Sequence, residues 1–116
     1  MGDPRMSIRD VFITAVRRCP NLPESARDAD AVVEGIEETI FDSTYLDFLD
    51  EQIRLNARGD AWSDRLRRRR VGLADWCDRP LIFGRVLVDA DEYWVRVDPQ
   101  TNEVVYWEVY ADINAQ

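Results

Sequence analysis

Carboxylates at helical spacing are the first residues in this chain that could do chemistry. Glu34 and Glu38, and likewise Asp47 and Glu51, stand four residues apart. At that separation two side chains meet on one face of a helix, where they could share a proton or hold a hard cation. Nothing else in the chain supports either use. Histidine and lysine are absent and all fifteen cations are arginine, so no imidazole can act as a base near neutral pH and no amine can form a Schiff base. The five glycines are isolated and build no phosphate loop. Cys19 and Cys77 lie far apart, match no metal or redox spacing, and read as two reduced thiols. Carboxylate pairs in an acidic protein mostly serve solubility. The sequence therefore reads as a non-enzyme with no metal and no cofactor.

The chain is instead rich in apolar surface near its end. Residues 91–110, DEYWVRVDPQTNEVVYWEVY, hold five aromatic residues and five valines around an Asp-Pro turn. Pro99 presets the first φ of a type I turn, Asp98 can accept from backbone amides, and Asn102 tolerates the left-handed conformation that closes the loop. A four-residue loop pairs Asp98 with Glu103 and Val97 with Val104. Continued without a break, it pairs Val95 with Tyr106 and Trp94 with Trp107. Both faces of this ribbon are then apolar, whereas a strand with one wet face alternates apolar and polar. One face must meet helices. The other is either covered from within or offered to a partner.

Charge is unevenly distributed. The net charge is −8. From Glu24 to Glu51 ten acids stand against one arginine, and from Asp89 onward seven acids stand against one. Between them, Arg54 to Arg70 holds seven arginines and two aspartates. The arginine run 65–70 reads as neutralising an acidic helix nearby. A whole-molecule field of this sign repels a polyanion, which argues against nucleic acid as a ligand, and favours encounter with a basic protein. Glu34, Glu37, Glu38, Asp91 and Glu92 are the candidate steering carboxylates. Trp94, Tyr106 and Tyr110 are the candidate anchors.

The elements that must position these residues follow from periodicity. Ser7 and Asp10 open a helix whose apolar stripe is Ile8, Val11, Phe12, Ala15, Val16 and Cys19, and Pro20 ends it. Residues 28–40 carry Ala29, Val32, Val33, Ile36 and Ile40 at helical spacing, with the glutamates opposite, and predict a second helix. A third starts at Asp42 or Ser43, buries Tyr45, Leu46, Phe48, Leu49, Ile53 and Leu55, and stops at Gly59. Residues 59–80 read as a connection with a short helix near Trp62 and Leu66. After Pro80 the pattern turns extended, with Gly84 marking a bulge or bend. One domain is expected: a loose tail over 1–6, a helical part over 7–58, the connection, and strands over 81–111. The class is α+β, N-terminal helices packed on a C-terminal antiparallel meander. No apolar run approaches the roughly 20 residues of a membrane span, and the start lacks a signal peptide's apolar stretch, so a cytoplasmic protein is expected.

Two stretches together resemble the SUKH superfamily. Residues 36–52, IEETIFDSTYLDFLDEQ, are similar to its acidic segment leading into a Tyr-x-x-Phe-Leu helix. Residues 80–109 resemble its later strands, with Phe83-Gly84, Asp89, Asp91, Tyr93, Asp98, Asn102, Val105 and Trp107 at matching positions. Ser43-Thr44 replaces that family's Leu-Pro, and Asn102 its turn glycine. The resemblance implies an α+β fold and a bacterial immunity protein that binds and blocks a cognate toxin domain. Two other classes remain open: a phage or mobile-element inhibitor mimicking nucleic acid, and a homodimer or assembly subunit using the hairpin as its own interface.

Overall fold

Ser7 accepts a hydrogen bond from the Asp10 amide at 3.2 Å and so starts α1, Ile8–Arg18, satisfying one amide that the first helical turn leaves without a partner. The structure, a computed structural model, describes residues 7–28, 31–56 and 61–110. After α1 come a single turn α2 (Glu24–Arg27), β1 (Val32–Thr39), α3 (Ser43–Leu55), α4 (Ala61–Leu73) with a 3-10 turn at Ala74–Trp76, and three strands. The strands are β2 (Leu81–Val88), β3 (Asp91–Asp98) and β4 (Glu103–Tyr110), and the four-stranded sheet is antiparallel in the order β1-β2-β3-β4. This is the expected α+β class.

The chain forms two units. One is built from the chain up to Thr39 and from Leu81 onward; the other, Ile40–Pro80, is inserted between β1 and β2. In the first, α1 lays Phe12, Ala15 and Val16 on a sheet face made by Ile82, Val86, Tyr93, Val95 and Val97, with Val33, Ile36, Trp107 and Val109 packed around them. Phe12 is wholly buried and its ring occupies the space where a Cβ on Gly84 would sit, 2.5 Å from the nearest ring atom. Gly84 therefore marks a close approach of helix to sheet, and of the expected bulge or bend it is a bulge that occurs there, in the neighbouring strand β1 opposite Gly84. The β2–β3 pairing runs past it without a register break, from Ile82↔Val97 to Val88↔Asp91.

The predicted second helix does not form, and residues 32–39 are a strand instead. The cause is a bulge. Between the pairs Glu34↔Arg85 and Glu37↔Phe83, two residues, Gly35 and Ile36, oppose the single Gly84. Gly35 takes the left-handed φ of 68° that such a bulge requires. The extra residue puts the inward side chains Val33 and Ile36 three positions apart, which imitates a helical repeat in the sequence. With β-branched Val32, Val33, Ile36 and Thr39, the segment prefers the extended form.

In the second unit Asp42 caps α3, accepting from the Thr44 amide at 3.0 Å. Leu46, Leu49 and Leu66 form a small core, with Phe41, Tyr45, Ile53 and Cys77 around it. Phe48 and Leu55, expected inside, are instead exposed on α3. The expected stop at Gly59 lies outside the described residues. The stretch 61–73, expected as a connection with one short helix, is the full helix α4. Two of its arginines reach α3: Arg70 holds Asp50 through two hydrogen bonds of 2.9 and 3.4 Å, and Arg69 donates to the Tyr45 hydroxyl at 3.4 Å. Neutralisation of α3 by the run 65–70 is seen at one pair, Arg70–Asp50.

Candidate partner-binding face

The β3–β4 hairpin forms as its turn chemistry dictates. Asp98 is buried and accepts from the Gln100 amide at 3.0 Å and the Thr101 hydroxyl at 3.2 Å. Its own carbonyl accepts from the Asn102 amide at 2.7 Å. Asn102 adopts the left-handed φ of 59°. Asp98↔Glu103 and Val97↔Val104 pair as expected. The next two expected pairs do not form. Val105 is an extra residue in β4, so Arg96 faces Tyr106, Val95 faces Trp107, and Trp94 faces Glu108. A single inserted residue exchanges the two faces of a strand from that point on. Trp107 thereby moves to the helix side with Tyr93, ring centres 5.8 Å apart. Tyr106 and Tyr110 move to the opposite face.

That opposite face carries Phe83, Trp94, Tyr106 and Tyr110 among charges rather than a plain apolar surface. Trp94 meets Phe83 edge to face at 5.6 Å and tilts against Tyr110 at 4.7 Å. The Arg96 guanidinium lies over the Phe83 ring at 5.2 Å, an attraction between cation and ring quadrupole. Arg85 joins two strands by donating to Glu34 on β1 at 2.9 Å and Glu92 on β3 at 3.2 Å. The Trp94 indole also donates to Glu92, at 2.6 Å. Buried Glu108 accepts from the Tyr106 and Tyr110 hydroxyls at 3.0 and 2.6 Å.

The sheet gathers six of the eight candidate residues on this face, among them Glu34, Glu92, Trp94, Tyr106 and Tyr110. Glu37 joins them through its pairing with Phe83. Glu38 pairs with buried Ile82 and so projects on the helix side, although it is exposed at the sheet edge. Asp91 pairs with Val88 on that same side, and its charge adds to burial in pushing the Tyr93 phenol up. Tyr106 and Tyr110 spend their hydroxyls on Glu108, and all three anchor candidates are half-buried. The sequence reading puts Arg96 beside Trp94, as found, but does not include Phe83, Arg85 and Glu108 in the face. The alternation Phe83, Arg85 and the spacing Tyr106, Glu108, Tyr110 were the available signals.

What remains outward and acidic is β1. It is an edge strand, and Glu34, Glu37 and Glu38 are all exposed on it. The unit containing it holds fifteen acids and seven arginines, a net −8, whereas the inserted unit holds eight of each. Among the described residues, no helix is long and apolar enough to cross a membrane. No protein-family model, no curated protein and no solved structure matches the chain.

Proposed function

We propose that this chain is a non-enzymatic acidic binding protein that neutralises a basic protein partner, a cognate toxin domain, by occluding it. The carrying observation is the β1 edge: three exposed glutamates on an edge strand of the unit that holds the entire net charge. Glu34 and Glu37 reach from one face of that edge and Glu38 from the other, so a cationic surface seated on it meets carboxylates from both sides. Such complementarity raises encounter rates and selects partners. Glu92 and Trp94, tied to Glu34 through Arg85, form the rigid floor beside the edge. The likeness of residues 36–52 and 80–109 to the SUKH superfamily points the same way.

The test is titration calorimetry against the C-terminal domain of the neighbouring gene's product, whatever that gene encodes, with lysozyme as a basic control protein. A one-to-one complex with the domain and none with the control is expected. The triple variant Glu34→Lys, Glu37→Lys, Glu38→Lys should weaken it at least about tenfold. Unchanged affinity in the triple variant would remove the β1 edge from the reading, and no complex at all would remove the reading itself.

A further inference from the structure

The two edges of the sheet have opposite chemistry. An open strand edge presents unpaired amides and carbonyls, and proteins blunt it with charge, bulges or proline. At β1 the edge is blunted by Glu34, Glu37, Glu38 and the Gly35 bulge. At β4 it is not. Its sequence, EVVYWEVY, has no proline and no glycine and is almost wholly β-branched or aromatic. One of its two carboxylates, Glu108, is turned in and buried under two tyrosine hydroxyls. Among the described residues the flank is also open. Two clefts, of about 340 and 220 Å³, run beside β4 and share Asn21 and Val104, the second being lined by the consecutive residues Val104 to Trp107.

We propose that the chain pairs with a second copy of itself through β4, antiparallel across a two-fold axis, joining two sheets into one. Three observations select a second copy. First, joining β4 to β1 of another molecule would extend without limit, and the exposed glutamates of β1 oppose it, whereas β4 with β4 closes after two molecules. Second, the strand is self-complementary. With Trp107 opposite the copy's Trp107, Tyr106 meets the copy's Glu108 and Val105 meets the copy's Val109, so no carboxylate faces a carboxylate. A shift of two residues that sets Glu108 against Glu108 is excluded by charge. Third, Asn21 accepts from the Trp107 indole at 2.9 Å and from the Cys19 thiol at 3.0 Å. This leaves its amide NH2 available in the cleft that the second strand would enter. The inference is independent of the partner reading, which uses the other edge.

Opposite salt dependences separate the two. Each copy bears −8, so salt should strengthen the self-pairing while weakening capture of a basic partner. Sedimentation velocity on the full chain, from about 5 to about 200 µM, should show a monomer–dimer equilibrium whose dissociation constant falls at least about threefold between about 0.05 and 0.5 M NaCl. Val105→Lys should be monomeric throughout, and Val32→Lys on the opposite edge should dimerise like the parent. A parent chain that stays monomeric at the highest concentration and salt overturns the proposal. So does a Val32→Lys variant that loses the dimer as Val105→Lys does. If Val105→Lys does not fold, amide exchange on the parent decides. Concentration-dependent protection confined to β4 supports the pairing, and equal rates along β4 at both concentrations refute it.

Discussion

Arg85 shows how one side chain ties a sheet face together. It spans two strands, reaching Glu34 and Glu92, and its removal leaves those carboxylates to repel each other beside the Trp94 indole. These groups are one-third to one-half exposed, so solvent screens much of the attraction. Arg85→Ala should cost about 1–2 kcal/mol in urea unfolding and shift the tryptophan emission as Trp94 loses its fixed acceptor. Gly84→Ala should cost about 1–3 kcal/mol, because the new methyl would lie 2.5 Å from the Phe12 ring, itself fully buried. At Cys77, burial and the neighbouring Asp78 carboxylate hold the thiol above its ordinary pKa. The neutral thiol therefore favours the folded state at low pH, and that contribution fades as pH rises through the folded-state value. Alkylation by iodoacetamide should accordingly run slower than for a free cysteine near pH 8, and Asp78→Asn should move its pH–rate profile downward. A profile unchanged in that variant would exclude the carboxylate as a cause.

Among the elements, the bulged strands explain most. In β1 the extra residue at Gly35 makes a strand look like a helix, and in β4 the extra Val105 reassigns the aromatics between faces. Both insertions act by changing parity in a structure whose side-chain period is two. Neither has a marker that a sequence pattern alone would reveal, since Gly35 fits many contexts and Val105 is an ordinary strand residue. Gly35→Ala should destabilise by about 1 kcal/mol, and Gly35→Asn by less, because asparagine tolerates a positive φ far better than alanine does. Equal losses for the two would mean that the Cβ contact with Arg85, 3.1 Å away, matters more than the backbone. The caps and turns behaved differently. Ser7, Asp42, Asp98 and Asn102 all took the roles that local chemistry assigns them, since a cap or a turn answers only to its neighbours in the chain.

At the level of the whole molecule, the net charge is segregated: one unit carries −8 and the inserted unit none. Such a field self-repels, so thermal stability should rise by about 2–5 °C between low and moderate salt, measurable by circular dichroism. A flat or falling dependence would show that internal pairs such as Arg70–Asp50 and Arg85–Glu34 already balance the field. The sequence by itself determined the α+β class, the capped helices α1 and α3, the hairpin turn and the acidic balance, because each depends on composition or on residues a few positions apart. Only the tertiary structure decided that residues 32–39 pair as a strand, that Trp107 faces the helix while Tyr106 and Tyr110 do not, and that Arg85 joins Glu34 to Glu92. Those outcomes depend on which residue of one strand stands opposite which residue of another. Register is set by pairing between segments distant in the chain, where one extra residue reverses every face that follows.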